Sequence, residues 1–351
     1  MYKSLQSCRA IAAMLVFLYH LGATVSLEKY FGTLIFYKPF SFGDCGVEFF
    51  FVLSGFIIHN AHHKDFFNRQ VLVSYIKKRI FRIFPVYWII LSALYISCLF
   101  VPQLGAIDRM TMQEVIKSFL LIPSTSSGVS GTGAPLIVVA WSLHYEILFY
   151  AIVGFFIAGR IGTVSIIMII LACWIFRYQG FELDYPFLHI SRDYLLLFLM
   201  GIMVSYFNQL HVHKVWVSCA VSFIGLFLFI SVALDQVYFL GWYNNFQTLM
   251  FGLSFSLVIC GLSNSERAGF VIGGNPVLQV LGNASYSLYL LHFPLISIFC
   301  KICVYLGINN KGLFLSSIAY TIILLLCIFI SVKFHTIVEK PLTHWLRKRY
   351  L

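Results

Sequence analysis

Residues 5–20 read LQSCRAIAAMLVFLYH. With the residues that follow to position 25, this is an apolar run long enough to cross a bilayer as a helix, interrupted only by Arg9 and His20. Working outward from it, apolar segments of similar length recur near 43–61, 83–102, 141–158, 161–177, 193–208, 214–233, 244–262, 284–306 and 312–334. Counting 8–25, that predicts ten spans, of which 43–61 and 193–208 are the short or glycine-bearing ones. The chain has 351 residues, 60% hydrophobic and 11% charged, with mean hydropathy +0.89. Soluble domains carry about 25% charged residues, so a water-soluble enzyme is excluded. The expected fold class is all-α, a polytopic integral membrane protein with about ten transmembrane helices. Residues 1–351 are read as one membrane domain with no fused soluble domain.

The net charge of +11 is then a topology signal rather than a nucleic-acid signature. With the N-terminus inside, sixteen basic residues fall on cytoplasmic ends and loops and eight on the opposite side. An even span count puts both termini on one side, and the charge bias makes that side the inside, so N-in/C-in is expected. Lys3 and Arg9 precede the first apolar run, but no small-residue cleavage site follows His20, so the run reads as a retained span. The nine cysteines lie almost wholly in apolar runs and suggest neither disulfides nor a metal site, the C-x-x-C of Cys300 and Cys303 included.

Between spans, residues 103–140 form the longest polar stretch, and PSTSSGVSGTG (123–133) within it reads as a Ser/Gly-rich connector or lid. Residues 64–82 and the C-terminal EKPLTHWLRKRYL read as interfacial amphipathic helices. No internal repeat is visible, so an inverted-repeat transporter plan has no support.

Ionisable groups inside spans are costly, and each is a functional candidate. Arg9 and His20 are eleven residues apart, which puts them within roughly 20° on one helix face and about 16 Å apart along it. Arg9 is either an orientation signal or a ligand for an anion, and His20 an interhelix partner or a base. In WSLHYEILFY (141–150), Glu146 lies one turn from Ser142 and from Tyr150. It reads as a carboxylate tuning a histidine or as a structural ion pair with a buried arginine. In NASYSLYLLHFPL (283–295), Tyr286, Tyr289 and His292 line up at i, i+3 and i+6 before Pro294. GVEFFFVLSGFII (46–58) carries Glu48 and Ser54; the serine lacks a nucleophile-elbow context, and Ser54–Gly55 suits close helix approach. Lys78, Arg79 and Arg82, just before Pro85, suit phosphates or anionic lipid headgroups. There is no Walker loop.

Taken together, the spacing of Arg9 and His20, GVEFFFVLSGF, KRIFRIFPVYW (78–88), WSLHYEILFY, SYSLYLLHFPL (285–295) and EKPL (339–342) resemble membrane-bound acyltransferase family 3. This is a family of bacterial O-acyltransferases acting on cell-surface glycans. The opening LQSCRAIAA and the single acid in WSLHYEILFY are most similar to the exopolysaccharide acetyltransferase branch. Two positions depart from the family pattern, Glu48 for the commoner Asp and Lys78 for the first Arg of the usual pair. The resemblance implies acyl transfer from an acyl-CoA, usually acetyl-CoA, to a sugar hydroxyl, with no metal. His20 would be general base or transient acyl carrier, with Arg9 and Glu146 in catalysis. Lys78, Arg79 and Arg82 would hold CoA phosphates, and Glu48, Ser54, Tyr289 and His292 would support the substrates. The implied partners are the lipid bilayer of a bacterial inner membrane and a glycan acceptor: exopolysaccharide, capsule, O-antigen or lipid-linked oligosaccharide. A transporter of glycan intermediates, which also needs buried charge, is the alternative.

Overall fold

In a computed structural model the described residues are 2–100, 111–123, 136–210, 214–244 and 246–351. They form helices joined by turns. The long ones are α1 (Lys3–Val25), α2 (Gly46–His62), α3 (Leu72–Phe100), α5 (Trp141–Ala158), α6 (Arg160–Tyr178), α9 (Val215–Tyr238), α10 (Gln247–Arg267), α12 (Ser285–Tyr305) and α13 (Leu313–Phe334). Between or after them come α4 (Met112–Leu120), α7 (Phe187–Ile190), α8 (Tyr194–Leu210), α11 (Pro276–Asn283) and α14 (Lys340–Tyr350). Among the described residues nine helical stretches are long and apolar enough to cross a membrane. The tenth expected crossing is α8, an apolar helix of 17 residues.

Two expectations need correction. Residues 64–82 do not form a separate interfacial helix: 63–65 and 69–71 are short 3-10 turns, and from Leu72 the chain is already α3, which runs unbroken through Pro85. The basic residues of 77–82 are thus the first turns of a membrane helix. The polar stretch 103–140 contains α4, whose start is a capping signal, Thr111-Met-Gln-Glu114, with the threonine hydroxyl accepting the Glu114 N–H at 3.3 Å. Tyr87 and Trp88 of α3 fasten the end of α4 by donating to the Ser118 and Phe119 carbonyls. Most of the Ser/Gly-rich segment, 124–133, lies outside the described residues. At the C-terminus, the expected helix is α14, joined to α13 through a π-helical turn, His335–Glu339.

Between apolar helices in lipid, association rests on close packing and on hydrogen bonds. Helices α2 and α8 meet glycine to backbone. Gly55 lies against the Phe198 carbonyl and Gly201 against that of Val52, and neither position has room for a β-carbon. Ser54–Gly55 therefore serves close approach, as its sequence suggested. His59 bonds Ser205 at 3.0 Å on the same seam, and Asn208 reaches Ser263 and Asn264 of α10. Gly55→Ala forces the two helices apart. Overpacking of this kind costs about 1–3 kcal/mol, so the unfolding midpoint in detergent is expected to fall, and an unchanged midpoint contradicts the packing account.

α1 sits at the centre, packed against α2, α10, α11, α12 and α13. Its N-terminus is capped from α10, where the Glu266 carboxylate accepts the backbone N–H groups of Lys3 and Ser4 at 2.7 and 2.8 Å. That cap fixes the depth of Arg9 and His20 in the bundle.

Candidate active site

Three cavities adjoin along α1. A mouth of about 630 Å³ is lined by Tyr2, Asn60, Glu266, Arg9 and Arg82 among others. Arg9 and Arg82 also line the next cavity, a neck of about 70 Å³, together with Ser54, Ser142, Glu146, Ser285, Tyr286 and Tyr289. Tyr289 and Val47 border both the neck and a vestibule of about 460 Å³ that holds His20, Tyr19, Asp44, Trp141 and Phe293. Arg9 and His20 of α1 thus line opposite ends of this run of cavities, as an eleven-residue spacing of about 16 Å requires.

At the mouth end, Arg9 donates to Ser285 Oγ at 2.9 Å and to Gln6 Oε1 at 3.3 Å. Arg82 makes no hydrogen bond or ion pair among the described residues, and it lines both of these cavities. Neither guanidinium is ion-paired among the described residues. Arg9 and Arg82 give this narrow cavity two cations against the one carboxylate of Glu146, a positive excess of the kind that attracts anions. Glu146 does not close that pair: its carboxylate accepts from Tyr150 and, at 3.4 Å, from Ser54.

At the other end, His20 Nδ1 lies 2.9 Å from the Val16 carbonyl and 3.2 Å from His292 Nε2. His292 Nδ1 is itself 3.0 Å from the Leu288 carbonyl, so it carries a proton there and its Nε2 is a lone-pair acceptor. His20 Nδ1 then faces two acceptors and must carry the proton. The lone pair of His20 is left on Nε2, beside a cavity lined by the Asp44 carboxylate and the rings of Tyr19, Trp141, Tyr289 and Phe293. That is the form a general base takes. A second polar link ties α12 to the start of α5, Tyr289 Oη lying 2.7 Å from Ser142 Oγ and 3.0 Å from the Val139 carbonyl.

A sequence profile described as an acyltransferase domain matches residues 2–334. The chain belongs to acyltransferase family 3. It is also 27% identical, over 282 residues, to the exopolysaccharide production protein ExoZ of Rhizobium meliloti (strain 1021), covering 77% of this chain and 82% of that protein. No solved structure matches it.

On this acyltransferase the expected site residues divide. Arg9, Arg82, Ser54, Glu146 and Tyr289 meet at the neck, and Tyr289 continues to the vestibule with His20. His292 stands behind His20 and sets its tautomer, the part the sequence reading gave to Glu146, which does not touch His20. Glu48 sits in the first turn of α2, where free helix N–H groups favour a carboxylate. Lys78 is exposed, and Arg79 turns away from Arg82 into a different cavity. Sequence reasoning missed two residues, Asp44 and Glu339. Asp44 lines the vestibule, and an acid four residues before Glu48 in an apolar run is the signal that points to it. Tyr286, the first rung of the ladder read in the sequence, donates to the Ile83 carbonyl at 2.8 Å and lines the neck. Glu339, in the π-helical turn, accepts from Ser287 and pairs with His335 at 2.9 Å, bracing α12 from below Arg9.

The tautomer argument carries a prediction. His292→Leu removes the acceptor from His20 Nδ1 and is expected to lower kcat about tenfold or more without changing KM for the donor. His292→Gln, which can place an amide oxygen where Nε2 stands, should recover part of the loss. Equal loss in both variants argues for packing alone.

Proposed function

We propose that the protein is an acetyl-CoA-dependent O-acetyltransferase of the bacterial inner membrane that esterifies a hydroxyl of a cell-surface or lipid-linked glycan. The single observation that carries this reading is the His20 imidazole, with its lone pair on Nε2, at one end of a path whose other end is lined by two arginines that make no ion pair among the described residues. Family membership supplies acyl transfer, and the relative's name supports a polysaccharide as the acceptor. The excess of basic residues on the Arg9 side supports a cytoplasmic mouth.

In this reading the CoA phosphates bind Arg9 and Arg82, with Lys78 at the cytoplasmic rim. The pantetheine arm enters the neck past Ser54 and Tyr289 toward His20. The glycan enters the vestibule, where Trp141, Tyr19 and Phe293 offer apolar faces to a sugar ring and Asp44 accepts its hydroxyls. His20 Nε2 takes the hydroxyl proton as the sugar oxygen bonds the thioester carbonyl carbon. The carbon–sulfur bond then breaks, and the departing thiolate takes the proton back from His20 as CoA thiol. His20 is neutral at the start and at the end, and Asp44 is a carboxylate that lines the same vestibule as the imidazolium that forms between. A donor from the cytoplasm and an acceptor from the other side meet in mid-path, so the acyl group crosses the membrane without the sugar.

Purified protein in vesicles, given acetyl-CoA labelled in the acetyl group and a surface-glycan oligosaccharide, is expected to release CoA thiol and alkali-labile labelled glycan in equal amounts. Glycan uptake without thiol release would support the transporter alternative instead.

A further inference from the structure

Arg79 lines a lateral groove of about 400 Å³ between α3 and α5, walled by Ile76, Ile80, Phe84, Ile147 and Phe155. Ile83 is the partition between this groove and the neck of the active site. The groove follows α3 from Leu72 to Phe84, about 18 Å of helix, close to the depth of one leaflet of a hydrocarbon core about 30 Å thick.

The guanidinium of Arg79 is held in that groove rather than left to extend to the surface. It lies 5.5 Å from the Tyr75 ring centroid and 5.4 Å from that of Tyr150. Its Nη2 is 2.8 Å from His62 Nε2, and His62 Nδ1 is 2.7 Å from Asp65 Oδ2. His62 therefore donates to Asp65 and accepts from Arg79 as a neutral imidazole, so it orients the cation without neutralising it. Arg79 makes no ion pair among the described residues, and its Nε is buried without a hydrogen-bond partner. A cation with an unmet donor against an apolar wall is costly until an anion reaches it. The wall restricts that anion to one that carries a chain.

We propose that this groove is a binding site for an anionic phospholipid, with the phosphate on Arg79 and one acyl chain along the wall. The lipid packs on the outer side of α3 and α5, the helices that carry Arg82 and Glu146, with Ile83 and Tyr150 standing between it and the neck. The proposal does not rest on the reaction assigned above.

The test is native mass spectrometry of the full chain in neutral detergent, offered phosphatidylglycerol and phosphatidylcholine of identical chains in equal amounts. Wild type is expected to retain one phosphatidylglycerol in about tenfold preference. Arg79→Gln should abolish the preference, and Arg79→Lys should keep part of it. Ala151→Trp, at an exposed position on the groove wall, should reduce retention of the lipid with Arg79 unaltered, and Lys348→Gln on α14 should change nothing. Equal retention of both lipids by wild type means annular lipid only and overturns the proposal. So does an undiminished preference in Arg79→Gln or, should that variant not fold, full retention in Ala151→Trp.

Discussion

Replacing His20 by alanine is expected to reduce acyl transfer about 10²–10⁴-fold, the usual contribution of a positioned general base. The loss is chemical, because the structural cost of the change is small. The ring is half-buried at the edge of the vestibule and its contacts are Tyr19, Phe293, His292 and the Val16 carbonyl of its own helix. Removing it enlarges an existing cavity and leaves the α1 backbone untouched. Membrane insertion, read as the amount of protein in the membrane fraction, should match wild type. Acylation at the wild-type level in His20→Ala sinks the assignment of the base. Loss of the protein from the membrane together with activity would mean that the ring is structural.

Arg9→Ala is expected to act at the other end of the path, on the donor. Truncating one partner of a desolvated charge pair costs about 2–4 kcal/mol, or about 30–1000-fold in kcat/KM. The effect should appear mainly in KM for acetyl-CoA. Arg9 also ties α1 to α12 through Ser285, so a purely structural role has to be separated. Ser285→Ala removes that bond and keeps the guanidinium. It is expected to retain most activity, whereas Arg9→Ala does not. If the two variants lose the same amount, Arg9 is a strut and the anion site rests on Arg82 alone.

The fold class was legible because a bilayer imposes its pattern on composition: long apolar runs and few charges leave no other architecture. The co-facial arrangement of Arg9 and His20 was legible for the same reason that any pair on one helix is, since 1.5 Å and 100° per residue are fixed. What lies between helices was not. Glu146 and His20 look like partners in a list of buried ionisable groups, but the rotation of α5 turns the carboxylate to Tyr150 and Ser54. That rotation is settled by packing with the neighbouring helices, α6 and α3 foremost, which no spacing encodes. Lys78, Arg79 and Arg82 look like one cluster because they are neighbours in sequence. Tyr75 and Tyr150 draw Arg79 into the groove while Arg82 turns to the neck, so one helical turn serves two compartments. The partner of His20 was half legible: the ladder Tyr286, Tyr289 and His292 marked α12, but only the crossing of α1 and α12 brings the two imidazoles within 3.2 Å.

The central claim is that His20 esterifies a surface glycan, and it is tested most directly on the glycan itself. Surface polysaccharide is compared by NMR and mass spectrometry from cells without the protein, with the wild type and with His20→Ala. Ester-linked acetyl groups are expected only with the wild type, whereas the same acetyl pattern in all three would contradict the account.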